Sequence, residues 1–111
     1  MCGIVGVIAL QDSATSLLSN ISKATQTLSK RGPDHQAVWF SSTIALGHAR
    51  LAIIDPSETS NQPFVDQTER YILVFNGEIF NFLSLKQELL TLGYQFKTNS
   101  DTEVLIYLYA Q

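Results

Sequence analysis

From Gly3 to Leu10 the chain carries no charged or polar side chain, only Gly, Ile, Val, Ala and Leu. A continuous apolar run of this length, rich in Val and Ile, suits a strand covered on both faces rather than one with a solvated side. We therefore expect it to be a central strand. A chain of 111 residues has material for one such core, since surface scaling predicts burial of about 65% of the unfolded surface, on the order of 11,000 Å². A second domain is not expected. With 45% apolar and 15% charged residues the composition is that of a compact soluble domain and not of a disordered segment.

The same run bears on compartment. Met1 to Leu10 is too short to cross a bilayer and has no Lys or Arg ahead of it, so neither a membrane helix nor a signal peptide is expected, and the location expected is cytoplasmic. A net charge of -3 without a basic cluster argues against nucleic acid or an anionic membrane as partner and favours a small molecule. The single cysteine, Cys2, excludes an internal disulfide, and with only His35 and His48 beside it no closed zinc site, or other metal site, is expected.

Periodicity supplies the remaining elements. Ala14, Leu17, Leu18, Ile21, Ala24 and Leu28 recur at helical steps and predict one amphipathic helix from a Ser13 N-cap to about Ser29. Arg31-Gly32-Pro33-Asp34 breaks it. Ala37 to Phe40 and Thr43 to Ile54 read as strands joined at Ser41-Ser42, and Asp55 to Pro63 as a surface loop. Tyr71 to Phe75 reads as a strand ending at Asn76-Gly77, a pair able to adopt positive φ. A helix is predicted from about Asn81 to Leu92 with Gly93 as its stop. Ser100-Asp101-Thr102-Glu103 has capping-box spacing and begins a last helix that reaches the chain end. Strands mixed with helices in this order indicate an α+β fold.

Cys2 is the most informative single position. Removal of Met1 from before a small residue would leave a thiol and a free α-amine on one residue. The two groups ionise in nearly the same pH range, so the amine can take the thiol proton without a separate histidine. A buried cysteine acting only as a small hydrophobe is the competing reading. Further motifs accompany it: Cys2-Gly3-Ile4-Val5-Gly6, Arg31-Gly32-Pro33-Asp34, the stretch from Gly47-His48-Ala49-Arg50 to Ile53-Ile54-Asp55, Gln62-Pro63-Phe64, Asn76-Gly77-Glu78-Ile79-Phe80-Asn81 and Ser100-Asp101-Thr102-Glu103. Together, and in this order along the whole chain, they resemble the class II glutamine amidotransferase domain, in the spelling of the domain that begins the glutamine-hydrolysing asparagine synthetases.

The resemblance implies an Ntn-hydrolase fold, an αββα sandwich of two antiparallel sheets between helix layers. It implies L-glutamine as substrate, with Cys2 as the nucleophile that forms a γ-glutamyl thioester and its α-amine as general base. Asn76 and the Gly77 backbone N–H would form the oxyanion hole. Arg50 would hold the substrate α-carboxylate with a two-pronged grip, and Asp101 the α-ammonium, assisted by Glu78. Backbone groups of Ile53 and Ile54 would line the glutamine site. Simpler readings stand beside these: an ordinary turn at Asn76-Gly77, a helix-start charge at Asp101, and packing or hydrogen bonding for His48. Arg50 inside an apolar strand demands a partner of some kind. Arg31 and Asp34 are expected to order a loop rather than take part in chemistry.

The likeness ends within the last helix, so residues 1–111 are expected to be the N-terminal portion of a glutaminase domain whose sandwich is incomplete. The ATP-dependent synthetase domain, to which ATP and Mg would belong, is expected to lie outside residues 1–111, and no cofactor is expected in this chain. The function implied is ammonia supply for asparagine biosynthesis from aspartate by an ATP-binding ligase, with that synthetase domain as partner and homo-oligomerisation through uncovered strands as an added expectation. Two alternatives remain: the same glutaminase half serving a sugar or peptide amidotransferase, and a non-catalytic glutamine-binding remnant.

Overall fold

The computed structural model describes residues 1–111, which form an α+β arrangement of five strands and three α-helices. Strand β1 (Gly3–Ile8) leads into a 3-10 helix (Asp12–Asn20) that continues as α1 (Ile21–Gln26). Strands β2 (His35–Phe40) and β3 (Ile44–Arg50) make a hairpin, whose turn is closed by Ser41 Oγ accepting from Thr43 N and Ile44 N. After a short 3-10 turn (Glu58–Ser60) come β4 (Phe64–Val65), β5 (Ile72–Leu73), α2 (Phe82–Thr91) and α3 (Asp101–Ala110).

Both sheets are antiparallel. One has the order β1-β3-β2, with Gly3 opposite Ala49 and His35 opposite Arg50, and the other is the β4-β5 pair. The expected central strand is thus an edge strand, and β3 takes the centre. Alternate residues of β1 differ in cover: Val5 and Val7 pack under the first helical segment, whereas Ile4 and Ile8 remain 48% and 65% exposed. An apolar run shows that both faces of a strand suit burial, but the number of neighbouring strands depends on which segments pair. These residues do not build the complete αββα sandwich, because the second sheet has only two strands of two residues each.

The predicted first helix divides into a 3-10 part and a short α part, and Ser13 is not its cap; Gln11 occupies that place without a side-chain bond. Hydroxyls supply the reason. Thr15 Oγ1 donates to Asp12 O at 2.7 Å and Ser19 Oγ to Ser16 O at 2.9 Å, so side chains compete for carbonyls three residues back and tighten the coil. The later helices end as predicted from local signals. Gly93 has φ +93, with its N–H donating to Leu90 O and Tyr94 N donating to Leu89 O, the paired bonds of a Schellman stop. Ser100 Oγ accepts from Thr102 N at 3.1 Å, but Glu103 does not close the box. Its carboxylate accepts from Lys97 N, Thr98 N and Thr98 Oγ1, which tie the preceding turn to the helix.

Two apolar clusters replace the single core expected. Ala9, Leu18, Ile21 and Ala45 join the larger sheet to the first helical segment, while Leu89, Val104, Ile106 and Tyr107 join α2 and α3 to the smaller sheet. The molecule is accordingly elongated, 46 × 30 × 18 Å, with a radius of gyration of 14.8 Å. A compact chain of this length would have about 13 Å. With Ile4 and Ile8 uncovered and the outer edge of β1 unpaired, the purified chain is expected to self-associate. Size-exclusion chromatography with light scattering checks this. Ile4→Lys should shift the distribution toward monomer, and a monodisperse wild-type monomer would refute the expectation.

Candidate functional site

The structure has a cleft of about 340 Å³, at the small end of ligand pockets. Cys2, Arg50, Ile53, Ile54, Asn76, Gly77, Glu78 and Asp101 are among the residues that line it. All eight residues singled out from the sequence therefore meet at one place, although 99 positions separate Cys2 from Asp101.

Cys2 precedes the first pair of the β1–β3 ladder, which sets it beside the end of β3. Its half-buried sulfur accepts from Leu51 N at 3.3 Å and faces Leu51 O at 3.6 Å. Arg31 Nε donates to Cys2 O at 3.2 Å, and Asp34 Oδ2 accepts from Ala52 N at 2.8 Å. The loop from Arg31 to Asp34 thus fastens Cys2 to the strand end. Gly32 is required there, because a Cβ would come within 2.1 Å of the Ala49 carbonyl carbon and oxygen. Met1 also lines the cleft, and while it is present the α-amine does not belong to the cysteine.

Strand β3 stops at Arg50 instead of running to Ile54, and the cause is Arg50 itself. Arg50 is only 5% exposed, and its Nη1 donates to Ser57 O at 2.8 Å and to Asn61 Oδ1 at 2.7 Å. Nη2 donates to Ile54 O at 3.3 Å and to Asp55 O. Residues 51–61 curl around the charge, which a continued strand could not do. The partner demanded by a buried arginine is a ring of neutral acceptors, and all four terminal N–H groups are engaged. A two-pronged grip on a carboxylate requires that some of these acceptors give way.

Asp101 is buried at the start of α3, where its Oδ2 accepts from Ile79 N at 3.0 Å and Oδ1 takes no bond from the chain. Glu78 is exposed at the rim, as is Ile53. The Asn76 side-chain amide and the Gly77 N–H have no partner within the chain, so both donors are free for a ligand. Neither residue adopts the positive φ expected of a hairpin pair. The chain here passes from β5 to α2 and makes no hairpin.

Two positioning contacts involve Gln62, which carried no assigned role in the sequence, and His48, which carried only packing or hydrogen bonding. The peptide of Phe75, next to Asn76, is held from both sides: its N–H donates to Gln62 Oε1 at 2.5 Å, and its carbonyl accepts from His48 Nε2 at 3.2 Å. Gln62 Nε2 reaches on to Thr102 Oγ1 at 3.2 Å. The Gln62-Pro63-Phe64 motif was the available signal for Gln62. His48 is fully buried, and desolvation lowers its pKa from 6.5; the Phe75 carbonyl opposes this, while the Arg50 and His35 charges add to it. Its Nε2 holds the Phe75 carbonyl, while Nδ1 is buried without a partner.

A pH dependence follows. The unfolded chain takes up a proton at His48 as pH falls through 6.5, and the folded chain resists it. This contribution is therefore complete above that pH and is lost below it, with a slope of at most about 1.4 kcal/mol per pH unit for one proton. Urea unfolding at about pH 7.5 and about pH 5.5 should show a loss of stability on acidification that is smaller in His48→Gln. Equal slopes in the two proteins would refute it.

No group of three or more His, Cys, Asp or Glu side chains converges so as to hold a metal ion, and no helix is long and apolar enough to cross a membrane. The glutamine amidotransferase domain matches residues 1–111. The glutamine-hydrolysing asparagine synthetases 3 and 1 of Bacillus subtilis (strain 168) are 38% identical over 113 residues and 40% identical over 111. Asparagine synthetase B of Escherichia coli (strain K12) is 35% identical over 111 residues. These alignments take in 98% to 100% of this chain and 17% to 20% of each relative, so the chain spans about a fifth of the length of the curated relatives it matches. Since the match runs through every residue that lines the cleft, the chain belongs to the glutamine amidotransferase domain family and is similar to the N-terminal part of the asparagine synthetases.

Proposed function

We propose that this chain hydrolyses the side-chain amide of L-glutamine and supplies the ammonia for ATP-dependent synthesis of asparagine from aspartate by a longer protein. The observation that carries the reading is the single cleft in which Cys2 meets two unpartnered donors, at Asn76 and Gly77, and two opposite charges, on Arg50 and Asp101. Asp101 holds the α-ammonium through its free Oδ1, and Arg50 faces the α-carboxylate. The amide carbon then lies toward Cys2. After loss of Met1 the Cys2 amine takes the thiol proton, and the sulfur attacks the amide carbon. Asn76 Nδ2 and Gly77 N–H stabilise the oxyanion. Collapse with return of the proton to the leaving nitrogen releases ammonia and leaves the thioester. Water, deprotonated by the same amine, cleaves the thioester to glutamate and restores the thiol.

The identity of 35% to 40% to asparagine synthetases supports aspartate as the final ammonia acceptor over a sugar or a peptide. ATP and Mg belong to the synthetase domain of the longer protein, and the reaction is placed in the cytoplasm. Intact-mass analysis after treatment with the diazoketone analogue of glutamine tests the reading. The expected product lacks Met1 and carries one adduct, on Cys2. Retained Met1, or an adduct on another residue, would refute it.

A further inference from the structure

We infer that Asp55 is a positioning residue that sets the distance between the two ends of the amino-acid clamp, Arg50 on one side and the Asp101 turn of α3 on the other. The inference rests on the glutamine reading above. Asp55 has φ +47, a left-handed conformation that aspartate tolerates better than most residues. That turn brings its carbonyl to Arg50 Nη2, while its side-chain oxygens accept from other groups. Oδ1 accepts from Ser57 N at 3.1 Å and Ser57 Oγ at 2.5 Å, and Oδ2 from Ser60 Oγ at 2.6 Å. Oδ2 also accepts from Asn99 N at 2.8 Å, across 44 positions of sequence.

Asn99 stands immediately before the Ser100 cap and two residues before Asp101. One residue is thereby joined to Arg50 through its main chain and to the start of α3 through its side chain. The same carboxylate pins Ser57, whose carbonyl is another acceptor for Arg50. Four donors converge on two oxygens, which calls for an ionised, acceptor-only group. Burial by itself would raise the Asp55 pKa, but the Ser57 and Ser60 hydroxyls and the Asn99 and Ser57 amides outweigh it and hold the carboxyl well below the usual range. Asparagine in its place would turn an N–H₂ toward one pair of donors and release either Ser57 or the Ser60 and Asn99 pair.

The consequence is specific to a ligand that spans both ends of the clamp. The acceptors that yield to a carboxylate must do so without displacing the guanidinium, and the Asp55 bridge is what fixes its place; no hydrogen bond joins Asp55 to Cys2, Asn76 or Gly77, so loss of the bridge should weaken the hold on the α-carboxylate without slowing attack on the bound amide.

The test uses the full chain and follows alkylation of Cys2 against the concentration of two probes: the diazoketone analogue of glutamine, and the same diazoketone lacking the α-carboxylate. In Asp55→Asn the half-saturating concentration of the first probe should rise by about tenfold, as expected for loss of a charge-assisted bond, with the limiting alkylation rate within about twofold. The second probe, which has nothing for Arg50 to hold, should show little change between the two proteins. Equal losses for both probes, or no change for either, would overturn the inference while leaving Cys2 alkylation by the wild type intact. Failure of the wild type to be alkylated at Cys2 would instead overturn the glutamine reading and the inference with it. Should Asp55→Asn not fold, Ser60→Ala removes one of the four donors and decides the matter: a selective rise of about threefold for the first probe supports the inference, and no rise overturns it.

Discussion

Cys2→Ser is expected to lower glutamine hydrolysis by three or more orders of magnitude, equivalent to about 4 kcal/mol or more in barrier. Serine is close to cysteine in size and can still accept from Leu51 N, so the strand end and the cleft should keep their shape. The loss is chemical, because the adjacent amine matches a thiol in acidity but lies far below a hydroxyl, and an alkoxide is scarcely populated near neutral pH. Glutamate release measured at saturating glutamine, with thermal unfolding as a control for folding, checks this. A serine variant within tenfold of the wild type would remove Cys2 from the chemistry and leave the alternative of a small buried hydrophobe.

Asn76→Ala should reduce turnover by about a hundredfold to a thousandfold, or roughly 3 to 4 kcal/mol, with KM changed by less than about twofold. The Asn76 side chain makes no hydrogen bond inside the protein, so its removal orphans nothing and should leave stability nearly unchanged. An oxyanion donor acts on charge that develops only in the transition state, and this is why kcat and not KM should carry the effect. Comparison with Gln62→Ala separates the two ways of disturbing this corner. Gln62 is buried and holds both Phe75 N and Thr102 Oγ1, so its loss should also lower the unfolding temperature. A rise in KM with kcat unchanged in Asn76→Ala would move Asn76 from the oxyanion site to the substrate clamp.

How far the sequence alone reached can be followed residue by residue. The stop at Gly93, the cap at Ser100, the α+β class and the loop from Asp55 to Pro63, though not the burial of Ser60 and Gln62 within that expected surface loop, were legible, because caps and turns are decided by dihedral preference and by donors within about four residues. The eight residues of the cleft were legible through the motifs that contain them, and their roles remain proposals. Beyond that range the local signals failed. β1 lies at the edge of its sheet because β3, not β1, pairs on both sides, and pairing is a choice among distant segments. The first helix tightened into a 3-10 coil where hydroxyls competed for its carbonyls. Arg50 was rightly expected to need partners, but those partners are carbonyls and an amide four to eleven residues ahead, reached only because the chain leaves β3 and wraps back. Asp55 and Asn99, or Gln62 and Phe75, meet by side-chain bonds that no periodicity encodes. The sequence by itself determined the local elements and the inventory of reactive groups, since both depend on side-chain chemistry and near neighbours. Only the tertiary structure decided which segments pair, what satisfies each buried polar group and how the ends of the cleft are held apart, since those depend on long-range contacts formed together.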